Sequence, residues 1–329
     1  MNAILEFLKN MYSAFDTSKM EWFTAIPEWI IMDVIVLLLG VFTVGFILKH
    51  EEHPKSVLLE IFCFIFLYAS IYENMAQVMG WYGFGKSLVM VFNVPITVPL
   101  IEALFTYASI RFASQLKIPK WGVVVLAGAF GVLGDLTLDP LALAQEHGGI
   151  GRWSWFIAQG DVNIFGAPVY NYMGWFLLCG YAATFILLGR RWHEKSGYNR
   201  VVGIVYPPVC FLGALAAMCS PISSFLLWLG PWFSKGGKIE YVMLGLSFAA
   251  FAVVLLLWRG RMKETWSVKS TAIFPVVFGV FYASNLLFDC IAGRFDILLF
   301  SLPWIVIHGG VYLWAYLAGK KKKRVPLHA

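Results

Sequence analysis

An all-α, polytopic membrane bundle is the fold this sequence predicts, and three observations predict it. Hydrophobic residues fill 60% of the 329 positions while charged residues fill 13%, a balance that a solvated globular surface cannot carry. Apolar runs long enough to cross about 30 Å of hydrocarbon at about 1.5 Å per residue recur about nine times. Lys and Arg divide unevenly between alternate loops, 7 on one side and 18 on the other of the 25 in the chain, as retention of positive charge on the cytoplasmic side requires.

The nine expected helices cover 29–48, 57–80, 88–112, 121–144, 164–188, 201–229, 239–258, 271–292 and 296–319. The charge asymmetry sets the amino terminus outside and the Lys320 to Arg324 run inside, which makes the chain a multi-pass protein of the inner (plasma) membrane. Residues 1–20 lack the basic start, apolar centre and small-residue cleavage site of a signal peptide. Instead Ile4, Leu5, Leu8, Met11, Tyr12 and Phe15 recur at helical spacing, which predicts a helix lying in the outer interface. Residues 28–319 read as one transmembrane domain, because the longest connection spans only 145–163, and 320–329 read as a basic cytoplasmic tail. The two halves show no sequence repeat, which weakens a transporter built from inverted repeats.

The net charge of +6 is absorbed by topology, and no basic patch with interleaved aromatics points to nucleic acid. Cys63, Cys179, Cys210, Cys219 and Cys290 stand at unrelated spacings inside expected helices, so they form no zinc pattern and act as small packing residues. Trp81, Trp153, Trp155, Trp228 and Trp232 gather near expected outer boundaries, where anchoring explains most of them; a minority can line a tunnel for a long polyene or prenyl chain.

The chemistry is sought among the ionisable residues placed deep in helices, each of which costs at least about 2.5 kcal/mol to insert. Glu73, Asp135, Asp139, Asn171 and Asp289, the last beside Asn285, fall at a similar depth in the outer half, which predicts one shared polar pocket. Asp135 and Asp139 stand at i and i+4, so both carboxyls lie on one helix face and one of the two is expected to hold a proton. Such an acid can protonate an electron-rich carbon while its ionised neighbour steadies a cation or orients water. The plainer alternative is that the pair only bonds to a helix kinked ahead of Pro140. Glu102 and His308 are lone polar residues with a structural alternative of the same kind, and Glu28, Asp33, Glu60 and Glu240 lie near enough to helix ends to be assigned no chemistry. Asp161 is placed in the outer loop, capping a helix or lining the pocket mouth.

The segment Gly134-Asp135-Leu136-Thr137-Leu138-Asp139-Pro140, followed by Trp153-Ser154-Trp155 and by Phe165-Gly166-Ala167-Pro168-Val169-Tyr170-Asn171-Tyr172-Met173-Gly174-Trp175, resembles the carotenoid biosynthesis membrane family, which includes carotenoid hydratases acting on acyclic chain ends. The likeness covers residues 60–190 and is most specific over 130–176. It implies hydration of a terminal C=C in a lipid-soluble carotenoid or isoprenoid, without a cofactor or metal. Asp135 and Asp139 would be the acid and base, Glu73 a second acid or water-positioning group, and Asn171 the orienting amide. Trp153, Trp155, Phe165, Pro168, Tyr172 and Trp175, with Glu102 and Asp289, would hold the substrate. Glu102 departs from the Trp expected at its place, and Gly160 to Ile164 depart from a Gly plus aromatics. Rival readings are a carbocation cyclase, a magnesium-dependent prenyltransferase using the Asp-x-x-x-Asp spacing, and a transporter or lipid-binding subunit.

Overall fold

The computed structural model describes residues 27–85, 87–143, 152–155, 162–223 and 238–324. The interfacial helix expected in 1–27, Asp161, Trp228 and Trp232 lie outside them, save for Pro27 itself, which opens the first helix. Among the described residues eight helices are long and apolar enough to cross a membrane, which makes this a multi-pass membrane protein.

The helices are α1 (Pro27–His50), α2 (Pro54–Val78), α3 (Thr97–Ala113), α4 (Lys120–Ala142), α5 (Val169–Lys195), α6 (Arg200–Met218), α7 (Lys238–Trp258), α8 (Ile273–Ile291) and α9 (Phe295–Arg324). The third expected span, 88–112, is the one missing from the eight: α3 has 17 residues and begins at Thr97, not 88. Residues 90–95 instead form a small antiparallel hairpin, β2 (Met90–Val91) with β3 (Val94–Pro95). Asn74 fastens its turn, donating to the Val91 carbonyl at 3.2 Å and accepting from the Asn93 amide at 3.1 Å. The α9 helix continues through Arg324, so the basic run from Lys320 extends that helix.

Burial explains why α3 can be short. It lies at the centre of the bundle with fourteen buried residues, so its length is set by its neighbours and not by the lipid. The α4 helix packs beside it with equal intimacy, and glycines make that possible. A Cβ on Gly134 would stand 2.3 Å from the Phe105 ring, one on Gly131 2.6 Å from Cys179 Sγ, and one on Gly128 2.8 Å from the Phe176 carbonyl. Spaced every three residues, these glycines let α4 approach α3 and α5 backbone to backbone.

Aromatic rings fill the centre. Phe105 stacks on Phe278 at 4.3 Å and meets Phe281 edge-on, and Phe130 stacks on His308 at 4.6 Å. His308 shares a 2.6 Å hydrogen bond with the Tyr282 hydroxyl, the structural alternative foreseen for it. Cys63, Cys179 and Cys210 are buried packers as expected, whereas Cys219 and Cys290 are exposed at helix ends.

The α2 helix is not regular. Phe64–Ala69 form a π turn, in which the backbone bonds i to i+5 and each residue rotates less about the axis. Thirteen positions on an ideal helix turn through about 220°, leaving two side chains on nearly opposite faces. With the wide turn between them, Glu60 and Glu73 both face α3, each lining a cavity with residues of that helix.

Candidate active site

Four carboxyl groups from three helices meet in one cavity. Glu73 of α2, Glu102 of α3, and Asp135 and Asp139 of α4 line a volume of about 50 Å³, space for a few waters or one end of a chain. All four are buried. The i, i+4 spacing works as expected: Asp135 and Asp139 project to the same side of α4, toward α5.

Asn171 joins the pair. Its amide nitrogen donates to Asp135 Oδ2 and to Asp139 Oδ2, both at 2.7 Å, so one side chain uses both N–H groups to hold both acids. Asp139 also accepts from the indole N–H of Trp153 at 2.5 Å and of Trp155 at 3.3 Å. All its partners are N–H donors, the surroundings of a carboxylate. These bonds run to α5 and to the Trp strand, so the acids do more than satisfy a helix kinked ahead of Pro140. On the facing wall Glu73 accepts from the Tyr82 hydroxyl at 2.6 Å and lies within hydrogen-bonding reach of Glu102. Burial and then the Glu73 charge push the Tyr82 hydroxyl well above its usual range, so it remains a donor at neutral pH.

Two short strands cover the acids. β1 (Tyr82–Phe84) pairs antiparallel with β4 (Trp153–Trp155), setting Tyr82 opposite Trp155 and Phe84 opposite Trp153. Strand alternation turns all four rings to the buried face while Gly83 and Ser154 turn away. Tyr82 and Trp155 meet at 4.5 Å and Phe84 and Trp153 at 5.6 Å, closing an aromatic lid. Trp153 and Trp155 therefore face the cavity and are not surface anchors.

The lid is pinned by an ion pair that sequence reasoning missed. Arg152 donates to Asp33 Oδ1 at 2.6 Å and to Thr97 Oγ1 at 3.2 Å, and lies 5.3 Å from the centre of the Trp29 ring. Thr97 and Ser87 also donate to Asp33. Asp33, expected to reach water, is buried at this junction. The backbone of Arg152 continues the fastening, bonding to Ala142 and Gly85. Arg152 is set directly before the Trp pair, the one available signal that it serves that strand.

The other expected site residues divide. Trp175 and Glu102 line the cavity with Trp153 and Trp155; Phe165, Pro168, Tyr172 and Asp289 do not. Phe165 occupies the turn between β5 (Asn163–Ile164) and β6 (Ala167–Pro168), with a positive φ of 52°, and packs on Phe300. Pro168 caps α5. Tyr172 is rotated about 100° from Asn171 on the helix and its hydroxyl is buried without a partner. Asp289 is buried with both oxygens unpartnered. Its helix meets α4 through Asn285, which donates to Thr137, and Thr137 lies about 200° around α4 from either Asp.

The cavity lining carries four acids and no basic side chain, a poor match for a diphosphate. Among the described residues no group of three or more His, Cys, Asp or Glu is arranged to hold a metal ion.

A family model described as carotenoid biosynthesis protein matches residues 32–229, more than half of the chain. The chain belongs to the carotenoid biosynthesis protein family. Every residue lining the cavity falls inside the matched segment, whereas α7, α8 and α9 follow it. The match reaches beyond the 60–190 recognised from motifs. Comparisons with curated proteins and with solved structures found no match.

Proposed function

We propose that this carotenoid biosynthesis protein is a hydratase, adding water to a terminal C=C of an acyclic carotenoid or related polyprenoid held in the membrane. The observation that carries the reading is the Asn171 amide bridging Asp135 and Asp139 beneath an aromatic lid. A carboxylic acid of this group gives its proton to the less substituted carbon of that C=C, and the π pair becomes the new C–H bond. The positive charge falls on the tertiary carbon, where the faces of Trp153, Trp155 and Tyr82 and the Asp139 anion steady it. Water then forms the C–O bond and returns a proton to the carboxylate, so the acid is regenerated and no redox partner is needed. Asp135 is the acid in this reading, Asp139 the counter-anion, and Glu73 with Glu102 the group that holds the water.

Orientation follows the Lys and Arg asymmetry: the acids lie toward the outer side of the inner membrane, and α9 ends in the cytoplasm.

Expression in cells that make an acyclic carotenoid tests the proposal by mass analysis of the pigment. A product heavier by one water is expected. A pigment of unchanged mass with a new ring would replace hydration by cyclisation, and an untouched pigment would reject both.

A further inference from the structure

The acid cavity does not account for the polar groups that continue along α3. Glu102, Thr106 and Ser109 follow one another at spacings of four and three, which sets them on one face of the helix over about 10 Å. That face is interior, with Thr106 at 1% and Ser109 at 0% exposure. One carboxyl oxygen of Glu102 and the hydroxyl of Ser109 have no hydrogen-bond partner in the protein, and the Thr106 hydroxyl has only the Cys179 thiol beside it. Helical Ser and Thr normally return the hydroxyl to a carbonyl one turn back, as Thr43 and Thr184 do here. Buried oxygens left this short of partners along one row are costly unless water joins them.

A second cavity lies further along α3. It has a volume of about 10 Å³ and is bounded by Thr106 and Tyr107 of α3, Glu60 of α2 and Arg190 of α5, the size that admits a single water. Glu60 is held there by Arg190 at 2.5 Å and by the Tyr206 hydroxyl at 2.6 Å. Tyr107 donates to Glu51, which pairs with Arg111, and Arg111 donates to the His50 carbonyl at the end of α1. Polar atoms thus run from the acids to the membrane face opposite the lid. The π turn of α2 is what sets a carboxyl at each end of this row.

We propose that Glu102, Thr106 and the cavity beside Glu60 and Arg190 form a water path that feeds the acid cavity from that opposite face. The inference rests on the hydratase reading, in which each turnover consumes one water that a lipid-soluble substrate cannot bring. The aromatic lid closes the nearer side.

The experiment compares Thr106→Leu, which fills the path, with Thr106→Ser, which keeps the hydroxyl, in membranes supplied with acyclic carotenoid. In the Leu variant the hydrated product is expected to fall at least tenfold at an unchanged amount of folded protein, because the filled path cannot deliver the water that each turnover consumes. The Ser variant restores the product. Wild-type hydration in the Leu variant, or an equal loss of hydration in both variants, would overturn the path. Hydroxyl-radical footprinting of the intact wild-type protein gives a readout without turnover. Cys179, fully buried beside Thr106, is expected to be oxidised well above Phe274, which is sealed in the core; equal protection of the two would refute the path. Should the wild type make no hydrated product, the hydratase reading fails while the footprint still decides on the path.

Discussion

Arg152 and Asp33, 119 positions apart in the chain, meet at 2.6 Å where neither reaches solvent. Breaking one side of a buried pair leaves a bare charge and costs about 3–5 kcal/mol. Arg152→Met is therefore expected to lower the midpoint of thermal unfolding in detergent and to loosen the Trp strand. The double variant Arg152→Met with Asp33→Leu removes both charges and is expected to recover most of that stability. Thermal unfolding of the single and double variants checks this; equal loss in both would deny the ion pair its role.

How much of this was legible beforehand differs between depth and direction. The helices and the level of Glu73, Asp135, Asp139 and Asn171 follow from apolar runs and from the i, i+4 spacing, and the structure brings those four residues together. Asp289 was placed with them because depth can be counted along a helix. The face it presents cannot, since that depends on which neighbour α8 packs against, and α8 meets α4 at Thr137. The lid was hidden for another reason. Two strands of three residues, with a single matched register, carry too little periodicity to distinguish them from loop. Likewise the π turn that aims Glu60 and Glu73 at α3 has no residue signature in Phe64–Ala69.

Asn171 separates two roles, placing the acids and neutralising their repulsion. Asn171→Leu removes both N–H donors and leaves two buried carboxyls without a shared partner, each at a cost of about 1–3 kcal/mol. The proposed hydratase activity is expected to fall about a hundredfold, with a lower unfolding midpoint. Asn171→Asp supplies a third acid in their place, and is expected to be no better. An Asn171→Leu protein that turns over at the wild-type rate would remove the bridge from the mechanism.

Gly134 is set where helix propensity and packing oppose each other. Gly134→Ala gains about 1 kcal/mol of propensity, yet its Cβ would lie 2.3 Å from the Phe105 ring. That ring is fixed by Phe278 and Phe281 and cannot swing away, and overpacking of this kind costs about 1–3 kcal/mol. Packing is expected to win, so the variant unfolds at a lower temperature than wild type. Gly245, with nothing near its missing Cβ, is the control that should gain from the same change.

Tyr82 links the lid to the acids, and its replacement should reveal whether Glu73 takes part in turnover. Tyr82→Phe keeps the ring that packs on Trp155 at 4.5 Å and removes only the hydroxyl that donates to Glu73 at 2.6 Å. A hydrogen bond to a charged partner contributes about 1.5–3 kcal/mol, which at about 1.4 kcal/mol per decade corresponds to a ten- to hundredfold loss in kcat. KM should change little, because the aromatic surface offered to the proposed substrate is unaltered. Asp139→Asn provides the upper bound: it keeps the shape of the side chain, cannot serve as an anion, and is expected to lower kcat by about 10²–10⁴. If Tyr82→Phe matches the wild type while Asp139→Asn is inactive, Glu73 belongs to the scaffold of the cavity and the chemistry belongs to α4 alone.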